Sequence, residues 1–247
     1  MKNLVTMYLY KIYKSPSTWI MLLALAALTI REYYYIPIGF YENFGYDPAA
    51  VQSVFKLIFI VLRSGILKWF ILAFVVLFIG TELSSGYIKN LNSTGMRKYQ
   101  ICLAKLVPVG YFVLAMYLVC IAAAFVGIRV FFGFLPPLRI DLALAGLSVQ
   151  FLLHMGFACF AWALTCAINN RLGSLGVGIA LLLILPNLFN DYAKSYPIFK
   201  YTLTYRLLAT SFEGTGPQIL SALLVALGAI FTYCALSMLI AQKRDTR

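Results

Sequence analysis

Charge is scarce in this sequence. Lysine, arginine, aspartate and glutamate make up 11% of the 247 residues, whereas hydrophobic residues make up 62%. Soluble domains contain about 25% charged and roughly 45–50% apolar residues, so a water-soluble fold would leave too much apolar surface in contact with water. The shortage of charge therefore excludes an ordinary soluble domain and indicates an integral membrane protein.

Motifs for nucleotide and metal chemistry are absent as well. No Gly-Lys dipeptide occurs, which excludes a P-loop in this chain, and neither GxGxxG nor GxSxG is present. His154 is the one histidine, so no multi-histidine zinc site can be built. The five cysteines show no CxxC spacing, which favours packing over metal binding or disulfides. We therefore expect a chain that is not an enzyme and holds no cofactor.

Carboxylates are missing from the centres of the apolar runs. An ion-coupled carrier usually needs Asp or Glu near the bilayer midplane, because a buried acid exchanges the ion. Glu82 and Asp191 lie only at the ends of such runs. The pattern argues against ion-driven transport, although an ATPase-independent carrier or channel is kept as the alternative function. A membrane-embedded enzyme or an assembly factor is a further alternative.

Long apolar runs are what the sequence has in abundance. They predict a single transmembrane domain over residues 1–247, an all-α membrane protein with six transmembrane helices, because barrel strands would alternate apolar and polar residues. The spans are expected at about 17–36, 65–82, 106–128, 143–168, 172–190 and 217–241.

The first two spans depend on their flanks. The first continues into Tyr33–Tyr35, a composition typical of the membrane interface, and reads as a retained helix because no cleavage site for a signal peptide follows it. The second needs Lys68 to reach back to the headgroups. The stretch 51–63 before it is either an outer interfacial helix or the upper part of a long second span.

Basic residues set the expected orientation. The connection 82–105 and the Lys-Arg-Asp-Thr-Arg tail are compactly basic, which places both termini in the cytoplasm of a multi-pass plasma-membrane protein. The net charge of +12 is dispersed over the ends of the spans rather than clustered. This distribution favours contact with anionic lipid over nucleic acid.

Three further segments are expected at the membrane surface. Residues 1–14 carry apolar residues at helical spacing beside lysines, which predicts an N-terminal amphipathic elbow helix that ends at Ser15-Pro16-Ser17. Residues 83–98, between the second and third spans, contain a stretch bracketed by glycines that predicts a short cytoplasmic helix. Residues 192–216 have the aromatic composition of an outer interfacial segment.

The connection after the second span resembles that of the permease subunits of ABC-2 type ATP-binding cassette exporters, a family that includes bacterial exporters of peptides and antimicrobial peptides. These carry a Glu at this point, then a Gly-x-Ile-Lys-Asn-like segment, then an Arg before a helix that contains Lys. The corresponding residues here are Glu82, Gly86, Tyr87, Ile88, Lys89, Asn90, Arg97, Lys98 and Lys105. The elbow, the six spans and the long segment between the fifth and sixth spans fit the same layout.

The resemblance implies a coupling helix in 83–98 that docks on a separate ATPase. Its residues would be Glu82, Gly86, Tyr87, Ile88, Lys89, Asn90, Leu91, Arg97 and Lys98. It further implies two ATPase copies that carry ATP and Mg²⁺, and a second permease subunit that is either identical or related. The basic residues of the segment can also simply fix the topology, and both roles can hold together.

The charge of Glu82 and its position at the inner end of a predicted span indicate a role of their own. An acid at the inner end of a span can pair with a basic residue of the elbow or loop and transmit a push from the docking helix into the bundle. A cap exposed at the surface is the alternative.

Spans with few charges suit a hydrophobic or amphipathic substrate, and we expect an amphipathic peptide. Candidate residues of the substrate path are Lys56, Arg63 and His154. Lys56, Arg63 and Lys68 either face a cavity or snorkel outward, and snorkelling is favoured. For His154, a neutral core histidine is favoured over a role with substrate or protons.

Overall fold

A computed structural model of the chain describes residues 2–44, 54–84, 98–132, 140–210 and 216–244, and no β-strand occurs in these ranges. The helices in chain order are α1 (Lys2–Lys14), α2 (Pro16–Phe44), α3 (Val54–Ser64), α4 (Ile66–Ser84), α5 (Lys98–Phe132), α6 (Ile140–Ile168), α7 (Arg171–Ser195), a 3₁₀ helix (Pro197–Tyr201), α8 (Leu203–Ala209) and α9 (Gly216–Arg244).

The predicted elbow helix corresponds to α1. Leu4, Tyr8 and Ile12 repeat every four residues, so they share one face, and all three are buried. The helix ends at Ser15 because the following Pro16 disfavours helical geometry in the residue before it and starts α2 at the position that needs no N–H donor. The helix and its break therefore lie where the sequence predicts them.

Four helical stretches are long and apolar enough to cross a membrane. They are Leu103–Phe131, Ala143–Ile168, Arg171–Ala193 and Gly216–Ala241, and α3 with α4 gives a fifth if the two count as one broken span. The chain is thus a helical membrane protein with four to five helices of spanning character in the described residues. The expected first span, 17–36, lies in α2, which is not one of these candidate spans. A total of six spans therefore stays a prediction.

A sharp break separates α3 from α4. Gly65 has a φ of 105°, a conformation that glycine adopts without steric cost, and the two helices are bent by 47°. The 19 residues of α4 span about 28 Å by themselves, which nearly matches a hydrocarbon core of about 30 Å. Helix α3 has seven buried residues out of eleven, so it is packed against the bundle rather than exposed at its rim.

Helices α5 and α6 form the centre, and α7 and α9 form the periphery. In the apolar window of α6 61% of the residues are buried, compared with 11% in those of α7 and α9. Helix α9 packs along α6, where Cys159 and Cys234 are free thiols with Sγ atoms 3.4 Å apart. The outward faces of α7 and α9 carry large apolar side chains such as Leu183, Leu224 and Phe231, which is the surface expected to face lipid.

Tyr33 joins three helices in the core. It belongs to α2, its hydroxyl donates to the carbonyl of Leu57 in α3 at 3.1 Å, and its ring lies against Gly127 of α5. Tyr33 is fully buried, whereas Tyr34 and Tyr35 are exposed. Two of the three tyrosines thus have the exposure expected at an interface, and the first does not, because its hydroxyl finds an acceptor inside the protein.

The predicted fifth span contains Gly173, Gly176 and Gly178, and Gly178 lies where two helices pack closely. A Cβ on Gly178 would lie 2.6 Å from the Leu72 side chain of α4. A Cβ on Gly176 would meet nothing within 4 Å, and one on Gly173 would lie 3.1 Å from the side chain of Ile168 at the end of α6. Gly178 of α7 and Gly80 of α4, whose added Cβ would lie 2.6 Å from the Arg171 side chain, both let α4 and α7 approach.

The segment expected at 192–216 begins inside a helix. Helix α7 continues past the predicted end at 190 as far as Ser195, and the 3₁₀ helix and α8 follow. Thr202 starts α8, since its Oγ1 accepts a hydrogen bond from the N–H of Tyr205 at 3.4 Å. Helix α8 then packs against α6 and α7, which makes it part of the bundle.

We expect Gly127→Ala to destabilise the protein. Its Cβ would lie 2.6 to 3.0 Å from three atoms of Tyr33, whose ring cannot move freely because its hydroxyl is bonded to α3. Overpacking of this kind costs about 1–3 kcal/mol, or a fall of several degrees in the apparent melting temperature of the detergent-purified protein. The matched control, Gly176→Ala, adds the same methyl group in open space and should leave the melting temperature unchanged or raise it slightly. Equal shifts in the two variants would contradict the packing described.

Candidate functional site

A buried ion-pair cluster lies near the C-terminal end of α4. Glu82 is 1% exposed, and its two carboxylate oxygens contact different helices. Oε1 lies 3.2 Å from Nζ of Lys11 in α1, and Oε2 lies 2.7 Å from Nζ of Lys105 in α5. One carboxylate therefore links the elbow helix, α4 and α5. We call Glu82, Lys11 and Lys105 the Glu82 cluster.

Aromatic rings surround the Glu82 cluster. The ammonium of Lys105 lies 5.8 Å from the ring centre of Tyr8, and that of Lys11 lies 5.8 Å from the ring centre of Phe78. The two rings meet edge to face at 5.9 Å. Each ammonium is thus within reach of a cation–π contact as well as the carboxylate. The rings also limit the access of water, which strengthens the ion pairs.

The two lysines of the Glu82 cluster differ in exposure. The side chain of Lys105 is 4% exposed and that of Lys11 is 48% exposed. A buried pair is strongly destabilised when one partner is removed, because the other charge is left uncompensated, whereas a half-exposed pair is screened by solvent. The bond between α4 and α5 is consequently the stronger constraint, and the bond to α1 is the weaker one.

The Glu82 cluster closes the base of the predicted docking segment. Glu82 stands just before 83–98 and Lys105 lies seven residues after it, so their ion pair joins the two helices that flank the segment. Lys98 is the first residue of α5. The other expected docking residues lie outside the described part of the chain: Gly86, Tyr87, Ile88, Lys89, Asn90, Leu91 and Arg97.

From the sequence, Glu82 either pairs with a basic residue of the elbow or loop or caps a helix at the surface, and the structure has it buried and paired with Lys11 of α1. The sequence marks its second partner, Lys105, only as a lysine in the helix that follows the segment. The signal for its role was its charge in an otherwise apolar stretch of α5, but the position of its ammonium depends on the way α5 packs beside α4.

A cavity of about 500 Å³ lies among α4, α6, α7, α8 and α9, beside Lys68 near the N-terminal end of α4. Its wall is mostly apolar, with hydroxyl groups from Tyr201, Thr202, Thr204, Thr232 and Tyr233. Among the described residues that line the cavity, Lys68 is the one with a charged side chain. The peripheral helices α7 and α9 supply most of the apolar wall.

Lys68 differs from its expected position. It was expected to reach back to the headgroups, yet it is buried, 4% exposed, and its Nζ donates to the carbonyl of Arg63 at 3.4 Å. The physical reason is the bend at Gly65, because a helix end leaves carbonyl groups without helical donors and the ammonium turns toward one of them. The alternative in which Lys68 faces a cavity is the one that the structure favours.

The three expected residues of the substrate path do not line this cavity. Lys56 is exposed on α3, and the guanidinium of Arg63 donates to the carbonyl of Thr210 at the end of α8. His154 is fully buried, and its Nδ1 lies 2.7 Å from the carbonyl of Gln150 in the same helix. His154 thus has the surroundings of a core histidine, as the sequence favours.

No group of three His, Cys, Asp or Glu side chains that could hold a metal ion occurs within the ranges that the structure describes. Comparison of the sequence with protein-family models finds no match, and comparison with curated proteins finds none either. The resemblance to the exporter permeases therefore rests on the residues and layout given above.

We expect Glu82→Gln to cost far more stability than Lys11→Gln. The first change leaves the ammonium of Lys105 buried without a carboxylate, at a cost of about 3–5 kcal/mol, whereas the second removes a half-exposed partner worth about 0–1 kcal/mol. The measurement is the apparent melting temperature of the purified protein, with Lys56→Gln as the control for loss of an exposed lysine. If Glu82→Gln and Lys11→Gln lowered it equally, the assigned asymmetry would be wrong.

Proposed function

We propose that the chain is the membrane-spanning subunit of an ATP-binding cassette exporter of the ABC-2 type. In this proposal it crosses the bacterial plasma membrane six times, with α2 as the first span and with both termini in the cytoplasm. Two permease subunits, identical or related, act with two copies of a separate ATPase that carries ATP and Mg²⁺. The exported substrate is hydrophobic or amphipathic, and a peptide is preferred.

The observation that carries the proposal is the Glu82 cluster. A coupling element must pass a displacement from the ATPase into the spans, and this requires a firm connection between the docking segment and the helices beside it. Glu82 and Lys105 connect the two helices that flank that segment, and Lys11 adds α1. A helical membrane chain that only needed a topology signal would not require a buried carboxylate between two ammonium groups.

The remaining support is compositional. The chain lacks a P-loop, so energy from a nucleotide must come from another polypeptide. The spans lack central carboxylates, which disfavours ion coupling. The cavity among α4, α7 and α9 has the mostly apolar wall that suits a hydrophobic or amphipathic substrate.

Purification of the tagged chain from its native membranes tests the proposal. We expect an ATPase to co-purify in near-equal amounts and its hydrolysis to be stimulated by substrate. Reproducible absence of an ATPase would overturn the exporter and leave the ATPase-independent carrier or channel.

We expect Ile88→Asp with Leu91→Asp to release the ATPase, because two carboxylates would replace the apolar residues through which a short surface helix docks. The matched control is Asn92→Asp with Ser93→Asp, which adds the same charge at polar positions of the same segment. Co-purification and substrate-stimulated hydrolysis are measured for both pairs. If the ATPase stays bound to the Ile88 and Leu91 variant, the docking role of 83–98 is wrong.

A further inference from the structure

Lys68 is a buried cation without an acidic partner in the described residues. Its ammonium has three donors, yet the structure gives it one hydrogen bond, the long one to the carbonyl of Arg63. No described carboxylate lies within 4.0 Å of it. Lys11 and Lys105, by contrast, both contact Glu82. Because an uncompensated buried charge is costly, the surroundings of Lys68 call for an anion.

The cavity beside Lys68 has the size and chemistry of a ligand site. Its volume of about 500 Å³ lies within the range of roughly 300–1,000 Å³ found for small-molecule pockets. Leu181, Leu185 and Phe189 of α7 line it with apolar groups, and Thr202 and Thr204 add hydroxyls. A charged group at one point and apolar walls elsewhere match a ligand that is itself amphipathic.

We propose that this cavity binds an amphipathic anion, with a carboxylate or phosphate group paired to Lys68 and an apolar body against α7 and α9. The inference rests on the proposed export function only where the anion is taken as cargo. The same chemistry also occurs in anionic lipids of the surrounding bilayer, and binding itself requires neither an ATPase nor transport.

The first experiment compares a charged and a neutral probe on the purified full chain in nanodiscs of phosphatidylcholine. The probes are dansylaminoundecanoic acid and its methyl ester, which share the apolar body and differ in the charge of the head. We expect wild type to bind the acid more tightly than the ester. Lys68→Gln should weaken binding of the acid roughly ten- to a hundredfold and leave the ester nearly unchanged.

The exposed lysine of α3 provides the matched control. Lys56→Gln removes the same charge from a side chain that does not line the cavity, and it should leave the affinity for the acid as it is. Lys68→Arg keeps the charge and should retain much of the binding. Failure of wild type to prefer the acid, or equal affinity of wild type and Lys68→Gln for the acid, would overturn the proposal.

A second variant tests the apolar part without touching Lys68. Gly228 lines the cavity, and a Cβ there would meet nothing within 4 Å, so Gly228→Leu adds bulk to the cavity without forcing the backbone. Gly176→Leu adds the same side chain in open space away from it. We expect Gly228→Leu to weaken both probes at least about fivefold and Gly176→Leu to weaken neither. Unchanged affinity in Gly228→Leu would place the probes elsewhere and contradict the site.

Two readouts separate the sources of the anion. The first is native mass spectrometry of the chain purified from its own membranes. If an anionic lipid accompanies wild type and is lost in Lys68→Gln, the bound anion is a bilayer lipid. Export of the dansyl acid from vesicles that contain the ATPase identifies cargo. A wild-type protein that keeps its ATPase but does not bind the acid would refute this site and leave the exporter intact. A wild-type protein that binds the acid but carries no ATPase would refute the exporter and leave the site intact.

Discussion

The carboxylate of Glu82 is buried where three helices meet, and the arrangement of the chain around the predicted docking segment depends on it. A buried acid must be compensated, and here the compensation comes from α1 and α5 rather than from water. Removal of that one charge would leave two cations facing each other among aromatic rings. Helices α1, α4 and α5 are therefore held together by ion pairs as well as by apolar packing.

Apolar packing alone would not fix this unit so well. In a bilayer the lipid is as apolar as a leucine side chain, so helices gain little from burying leucine against leucine. Close approach at glycines supplies part of the specificity, as at Gly127 against Tyr33 and at Gly178 against Leu72. The ion pair between Glu82 and Lys105 supplies further specificity, because its geometry is satisfied in one relative placement of α4 and α5.

The sequence predicts the features that depend on neighbours along the chain. Helical character follows from the apolar runs, and the elbow and its break follow from the spacing of Leu4, Tyr8 and Ile12 and from Pro16. An ion pair of Glu82 with a basic residue of the elbow or the loop was one of two interpretations that the sequence allowed, beside an exposed cap. For Lys68, the favoured prediction of an outward, snorkelling side chain does not hold. The direction of this side chain depends on the bend at Gly65, which a hydropathy profile does not register. The partner role of Lys105 and the closure of a cavity by α8 depend on tertiary packing, for which the sequence carries no local signal.

The bend at Gly65 makes α4 a helix of its own. From Lys68 to Glu82 the chain is one uninterrupted helix, and its 14 steps amount to about 21 Å. Glu82 near one end forms the ion pairs with α1 and α5, and Lys68 near the other end lines the cavity. If the proposed exporter moves Glu82 along the axis of α4, the same helix carries Lys68 with it.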